Sequence, residues 1–285
     1  MMRIFGGLRA ISCGPALALA ALLALSGAAY AGTGQPSPWQ MNFQTPVTSI
    51  MEAIDDFHMF VTIISILITL FVLVLLLIVI VRFRESVNPT PSRTTHNTLL
   101  EVGWTVIPAL ILVVIAIPSF RLLFDQLTIP PAELTVKATG TAQWTWTYEY
   151  PDHKFQFDSN MIAEKDLKPD QLRLLSVDNE MVVPVNKTVR MQITADGIIH
   201  AFAVPSFGIK IDAVPGRLNE TWFRATREGI YYGQCSELCG RNHAFMPIAV
   251  RVVNDQQFNA WLADAKKKWA TAPVADPVVM AEAQR

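Results

Sequence analysis

The sequence predicts a membrane-anchored α+β protein: a two-helix transmembrane hairpin, a β sandwich or barrel, and one C-terminal helix. Three observations carry this reading. Two long apolar runs without charge lie in the first half, short alternating strands fill 132–253, and an amphipathic stretch follows them. The chain has 285 residues, enough for one or two domains. Hydrophobic residues make up 51 % and charged residues 16 %, with the apolar excess ahead of residue 121. A formal net charge of −1 leaves no basic footprint, so nucleic acid is not an expected partner.

The first element is a leader, 1–31. Arg3 and Arg9 precede the apolar stretch 16–25, and Ala29-Tyr30-Ala31 forms a small-residue cleavage site. This is the pattern of a bacterial secretory signal peptide. Cys13 precedes the apolar stretch rather than ending it, which argues against a lipoprotein signal. Cleavage after Ala31 leaves Cys235 and Cys239 as the cysteines of the mature chain.

The hairpin comes next, within 32–126. Residues 59–81 carry no charge; as a helix, such a run spans ~34 Å, more than the ~30 Å hydrocarbon core of a bilayer. Residues 102–120 are also uncharged. Pro108 and Pro118 would break a soluble helix there, but membrane helices tolerate proline. Helices are expected at about 55–82 and 101–124. The connecting loop carries Arg82, Arg84 and Arg93, whereas Glu52, Asp55 and Asp56 flank the first span outside. Positive residues stay inside, so both termini face the periplasm of a bacterial inner (plasma) membrane.

The exported domain is 127–270. "LTVKAT", "QWTWTYEY", "KTVRMQIT", "LNETWFRA", "GIYYGQ" and "PIAVRVV" alternate or are rich in β-branched and aromatic residues. Asn186-Lys187, Asp196-Gly197 and Pro215-Gly216 punctuate them. Alternation places Trp144, Trp146, Tyr148 and Tyr150 on one face of a strand. In 255–269, Phe258, Trp261, Leu262, Ala265 and Trp269 recur at helical spacing behind Asn254, a natural N-cap. The Ala/Pro/Val-rich tail 271–285 reads as flexible.

The chemistry gathers in "GQCSELCGRNHAFMP", 233–247. Cys235 and Cys239 alone fit a disulfide in an oxidising compartment. Zinc is a second reading, with Cys235, Cys239, His243 and His200 as four ligands, but zinc gains nothing from Met246. Copper uses every donor type present, because thiolate, imidazole and a weak thioether form the ligand set of electron-transfer copper sites. Two thiolates can bridge two copper ions, each capped by one histidine. The charge of an added electron is then shared over two metals.

These residues, with "QWTWTYEY", "DSNMI", "LKPDQLRLLSVDN" and "HAFAVPSFGIKIDAVPGRLN", resemble subunit II of the haem–copper cytochrome c oxidases of bacteria and mitochondria, most closely the aa3-type. The resemblance covers nearly the whole mature chain. It implies a cupredoxin-like domain with the dinuclear copper centre CuA. Cys235 and Cys239 would bridge the coppers. His200 and Met246 would complete one copper; His243 and the backbone carbonyl of Glu237 would complete the other. The Glu237 carboxylate would help hold a magnesium (or manganese) ion shared with subunit I, a hard oxygen donor suiting a hard cation. Trp144 would lie where cytochrome c delivers its electron. An acidic docking face for that basic partner would draw on Glu149, Asp152, Asp158 and Asp178. Glu101 would sit at the mouth of a proton channel in subunit I. Subunit III is a further implied partner.

The resemblance thus implies the subunit through which electrons enter a proton-pumping oxidase, with O2 reduced to water at haem in subunit I. The chain has no C-x-x-C-H for covalent haem attachment. The alternatives are a quinol oxidase subunit, a branch that typically lacks these cysteines, and a membrane-anchored copper-binding or copper-delivery protein. His58, His96 and His153 read as ordinary surface or edge histidines.

Overall fold

The computed structural model describes residues 34–270; the leader with Cys13 and the tail 271–285 lie outside them. Helix α1 runs Ser49–Arg82 and helix α2 runs Thr98–Leu127. Both are long and apolar enough to cross a membrane, and their apolar side chains face outward. Each starts earlier than expected, because a side chain caps it. Thr48 Oγ1 accepts the Met51 N–H at 3.0 Å, and Asn97 Oδ1 accepts that of Leu100 at 3.2 Å. The first turns carry Glu52 and Glu101, whose charge suits a helix N-terminus. Pro108 and Pro118 sit inside α2, as the reading of the second span required.

Among the described residues, ten strands form two five-stranded sheets. The first five are β1 (Leu134–Gly140), β2 (Trp146–Tyr150), β3 (Phe155–Ser159), β4 (Met181–Pro184) and β5 (Val189–Ala195). The others are β6 (His200–Val204), β7 (Ile209–Ala213), β8 (Asn219–Phe223), β9 (Gly229–Cys235) and β10 (Pro247–Val253). One sheet has the order β3-β2-β1-β5-β8 and the other β4-β10-β9-β6-β7. The pairs β1–β5 and β4–β10 are parallel, and the others are antiparallel. Strictly alternating burial in β1, β2 and β5 turns one face of each inward, and the two inner faces make one core.

Helix α3 (Asp255–Trp269) closes one side, capped by Asn254 as its sequence predicts. It buries Phe258 and Ala265 and presses Trp261 and Trp269 onto β2 and β3. Trp269 stacks on Phe157 at 4.4 Å between centroids, and Tyr150 stacks on Phe155 at 4.9 Å.

Hairpin and sandwich are joined by backbone as well as side chains. Val47 N–H donates to the Ser206 carbonyl and Thr48 Oγ1 to that of Phe207; the Trp222 indole donates to the Asp125 carbonyl at 3.3 Å. Gly208 lies against Met51, where an added Cβ would come within 3.1 Å of the Met51 Cα. These ties set the sandwich directly on the end of the hairpin where α1 starts and α2 ends.

One expectation needs correction. Strand β2 presents Trp146, Tyr148 and Tyr150 to the core, all fully buried, but Trp144 is not on that face. It precedes the strand in a turn, half-buried, with φ of 60°. Left-handed backbone at a bulky residue turns its side chain out of the strand's alternation.

Candidate metal centre

The site is assembled by strand pairing. Antiparallel β6 and β9 set Phe202 opposite Cys235, which brings His200 at the head of β6 to the end of β9. The chain then loops through Glu237, Cys239 and His243 before Met246 leads into β10. Residues 35 apart in sequence thereby touch.

The cysteines are free thiols, buried, with their sulfurs 3.7 Å apart. His200 Nδ1 lies 3.8 Å from Cys235 Sγ, and the Glu237 carbonyl accepts from that thiol at 3.3 Å. His243 Nδ1 lies 3.5 Å from Cys239 Sγ, and Met246 Sδ lies 3.8 Å from it. His200 is fully buried and Met246 nearly so. His200, Cys235 and Cys239 form a group able to hold a metal ion, the three donor atoms all within 4.8 Å of one another.

The donor set itself discriminates among metals. A structural zinc site needs four ligands. Here two thiols, two imidazole nitrogens, one thioether and one carbonyl converge, and a thioether is a soft ligand suited to copper. These residues fit a soft, dinuclear copper group. Burial lowers the His200 pKa, against the opposing effect of its bond to Thr141, and so favours the neutral imidazole, the form that ligates. Burial and the neighbouring Cys235 push the Cys239 thiol up to about 12. Without metal that thiol holds its proton; a metal cation must displace it.

The Glu237 carbonyl faces Cys235, and the residue is otherwise exposed. Leu238 and Phe245, further along the same loop, are also exposed. Trp144 reaches the site through its indole N–H, which donates to the Cys239 carbonyl at 2.9 Å. Its ring lies over Gly240, where an added Cβ would stand 3.2 Å from Cζ2.

The four acids named for docking are all engaged within the fold. Glu149 pairs with Lys137 at 3.1 Å, and Asp152 accepts the Thr135 N–H at 3.0 Å. Asp158 accepts the Thr147 hydroxyl at 2.6 Å, and Asp178 accepts both the backbone and side-chain N–H of Asn160. Glu101 sits far from the thiols, in the first turn of α2.

Sequence reasoning missed two neighbours of the site. Trp146 donates its indole N–H to the Met246 carbonyl at 3.2 Å, with its ring 6.0 Å from that of His200. Gly140 packs directly against the His200 ring. Spacing on β2 pointed to Trp146 only as core, and nothing in the sequence marked Gly140.

The chain is also similar to known proteins. Residues 134–253 match the family model described as cytochrome c oxidase subunit II, periplasmic domain, and residues 36–122 match the one described as its transmembrane domain. The chain is 55 % identical over 234 residues to a probable cytochrome c oxidase subunit 2 of Rickettsia bellii, covering 82 % of this chain and 87 % of the relative. It is 48 % identical over 235 residues to cytochrome c oxidase subunit 2 of Zea mays, covering 80 % and 90 %. A crystal structure of the periplasmic domain of subunit II of cytochrome oxidase of Bradyrhizobium japonicum is similar at 62 % identity. It covers 50 % of this chain and 100 % of that one, with a TM-score of 0.47.

Proposed function

The chain belongs to the cytochrome c oxidase subunit II family, membrane-anchored subunits through which electrons enter a haem–copper oxidoreductase, and on that basis we propose that it holds a dinuclear CuA centre at Cys235 and Cys239. The observation that carries the proposal is the convergence of five soft or borderline side-chain donors and the Glu237 carbonyl, with neighbouring donor atoms 3.3–3.8 Å apart. When bound, such a centre supplies a one-electron carrier between cytochrome c and the haem of subunit I.

The chain's own residues then have distinct tasks. Cys235 and Cys239 would hold the metals as thiolates. His200, Met246, His243 and the Glu237 carbonyl would complete the donor set. Trp144 offers an indole at the rim whose N–H bond leads directly to the Cys239 backbone, which supports its role as the contact for cytochrome c. Glu149, Asp152, Asp158 and Asp178 line the face for that basic partner; neutral donors hold the three Asp carboxylates in place without removing charge, whereas the ion pair with Lys137 offsets that of Glu149. The exposed Glu237 carboxylate, on a loop that also exposes Leu238 and Phe245, suits a seam with subunit I and a shared magnesium ion. Glu101, at the opposite membrane surface, serves proton uptake into the partner, and subunit III completes the core complex. The leader is removed, and both ends of the mature chain face the periplasm. The buried, closed ligand set disfavours a copper-delivery protein, which needs an exchangeable site.

The test is metal content and electron paramagnetic resonance of the purified full chain. Two coppers per chain with a mixed-valence two-copper signal is the expected result; one copper, or zinc, refutes it. Neutralising the four acids should raise KM for cytochrome c and flatten its salt dependence, and no change would remove the docking face.

A further inference from the structure

His200 is held from two sides by a turn that precedes it by 59 residues. Its Nε2 lies 3.0 Å from the Thr141 carbonyl. A backbone carbonyl only accepts, so Nε2 carries the proton and Nδ1 is left with its lone pair toward the thiols. The same carbonyl accepts the Trp144 backbone N–H at 3.0 Å. The turn closes on itself through Thr141 N–H to the Thr145 carbonyl at 3.0 Å and through the paired Thr141 and Thr145 hydroxyls at 2.8 Å.

Gly140 forms the floor. A Cβ there would stand 2.7 Å from His200 Cδ2 and 3.0 Å from Cγ. The ring cannot yield freely, because His200 is fully buried with Trp146 beside it. Gly140 is needed for space and not for its backbone angles: it is not among the glycines with positive φ.

We infer that the β1–β2 turn, Gly140 to Thr145, is a positioning device. It sets His200 as the Nε2–H tautomer with Nδ1 facing Cys235, and it ties that ring to Trp144 through one shared carbonyl. Gly140 is a positioning residue for His200. This rests on the copper reading for what Nδ1 binds, but the tautomer is a property of the chain alone. Outer-shell partners of this kind fix ligand orientation, and losing them typically weakens metal binding about 10–100-fold.

The experiment uses the full chain in detergent, labelled with 15N-histidine. In the copper-free chain, His200 should give the resonances of a single Nε2–H tautomer with a slowly exchanging ring proton. A mixed or Nδ1–H tautomer overturns the inference, whether or not any variant folds. In Gly140→Ala the His200 signals should shift or split. Copper affinity should fall about 10–100-fold and the electron resonance hyperfine pattern should change, with both thiols still present. A folded Gly140→Ala chain with unchanged His200 signals, affinity and spectrum also overturns it. If the unmodified chain binds no copper pair, the CuA reading fails, while the tautomer measurement still judges the turn.

Discussion

Replacing Trp146 by Phe tests how the fold holds Met246. The indole is fully buried, edge-on to Phe202 at 5.4 Å, with its N–H on the Met246 carbonyl at 3.2 Å. Phenylalanine keeps an aromatic ring on the inner face of β2 but removes the donor and half the bicycle. The carbonyl, left without that donor in a buried site, costs about 1–3 kcal/mol. The space vacated by the smaller ring adds on the order of 1 kcal/mol. The sum is about 2–4 kcal/mol, which at roughly 3 °C per kcal/mol lowers the Tm of the β domain by ~6–12 °C. Because Met246 Sδ sits 3.8 Å from Cys239, loosening its backbone should also change the copper spectrum. Calorimetry of Trp146→Phe beside the unmodified chain, with spectra of both, is the assay. A Tm within about 2 °C and an unchanged spectrum would show that the indole bond neither stabilises the domain nor holds Met246.

Copper uptake should strengthen with pH, by about tenfold per unit for each proton displaced, because Cys239 keeps its proton to high pH; a stopped-flow pH indicator should record the release. Mild oxidation of the copper-free chain should join Cys235 to Cys239 and block uptake until a reductant is added, as peptide mapping would report. Glu180 offers a pH test of the sandwich. Burial raises its pKa, although Arg251 at 2.7 Å pulls it down. The folded state therefore binds that proton more tightly than the unfolded one. Stability present below the ordinary Glu range, about 4.3, is lost as pH rises through the raised folded value. Denaturant titrations across that window should fall less steeply in Glu180→Gln than in the unmodified chain, and equal slopes would refute the assignment.

What could be read from the sequence was whatever obeys a local rule. An uncharged run must span the bilayer as a helix, since nothing else satisfies its backbone there, so both spans were legible to within a few residues. Helix α3 announced itself through an Asn cap and a 3.6-residue apolar stripe, and the metal loop through donors crowded into 233–247. Strands β3, β4 and β7 did not: each is five residues or fewer, and β4 is buried on both faces, so it shows no alternation. Trp144 defeated the pattern because one left-handed residue cancels the period of two. The acids of the proposed docking face looked like free surface charges, whereas folding gives each an internal partner. Sequence by itself determined that this chain is a membrane hairpin carrying a β domain and a soft-donor metal loop. Only the tertiary structure decided how His200 meets Cys235 and what holds its ring. Register between β6 and β9, the Thr141 carbonyl and the missing Cβ of Gly140 are relations between distant segments, and no local periodicity encodes a distance.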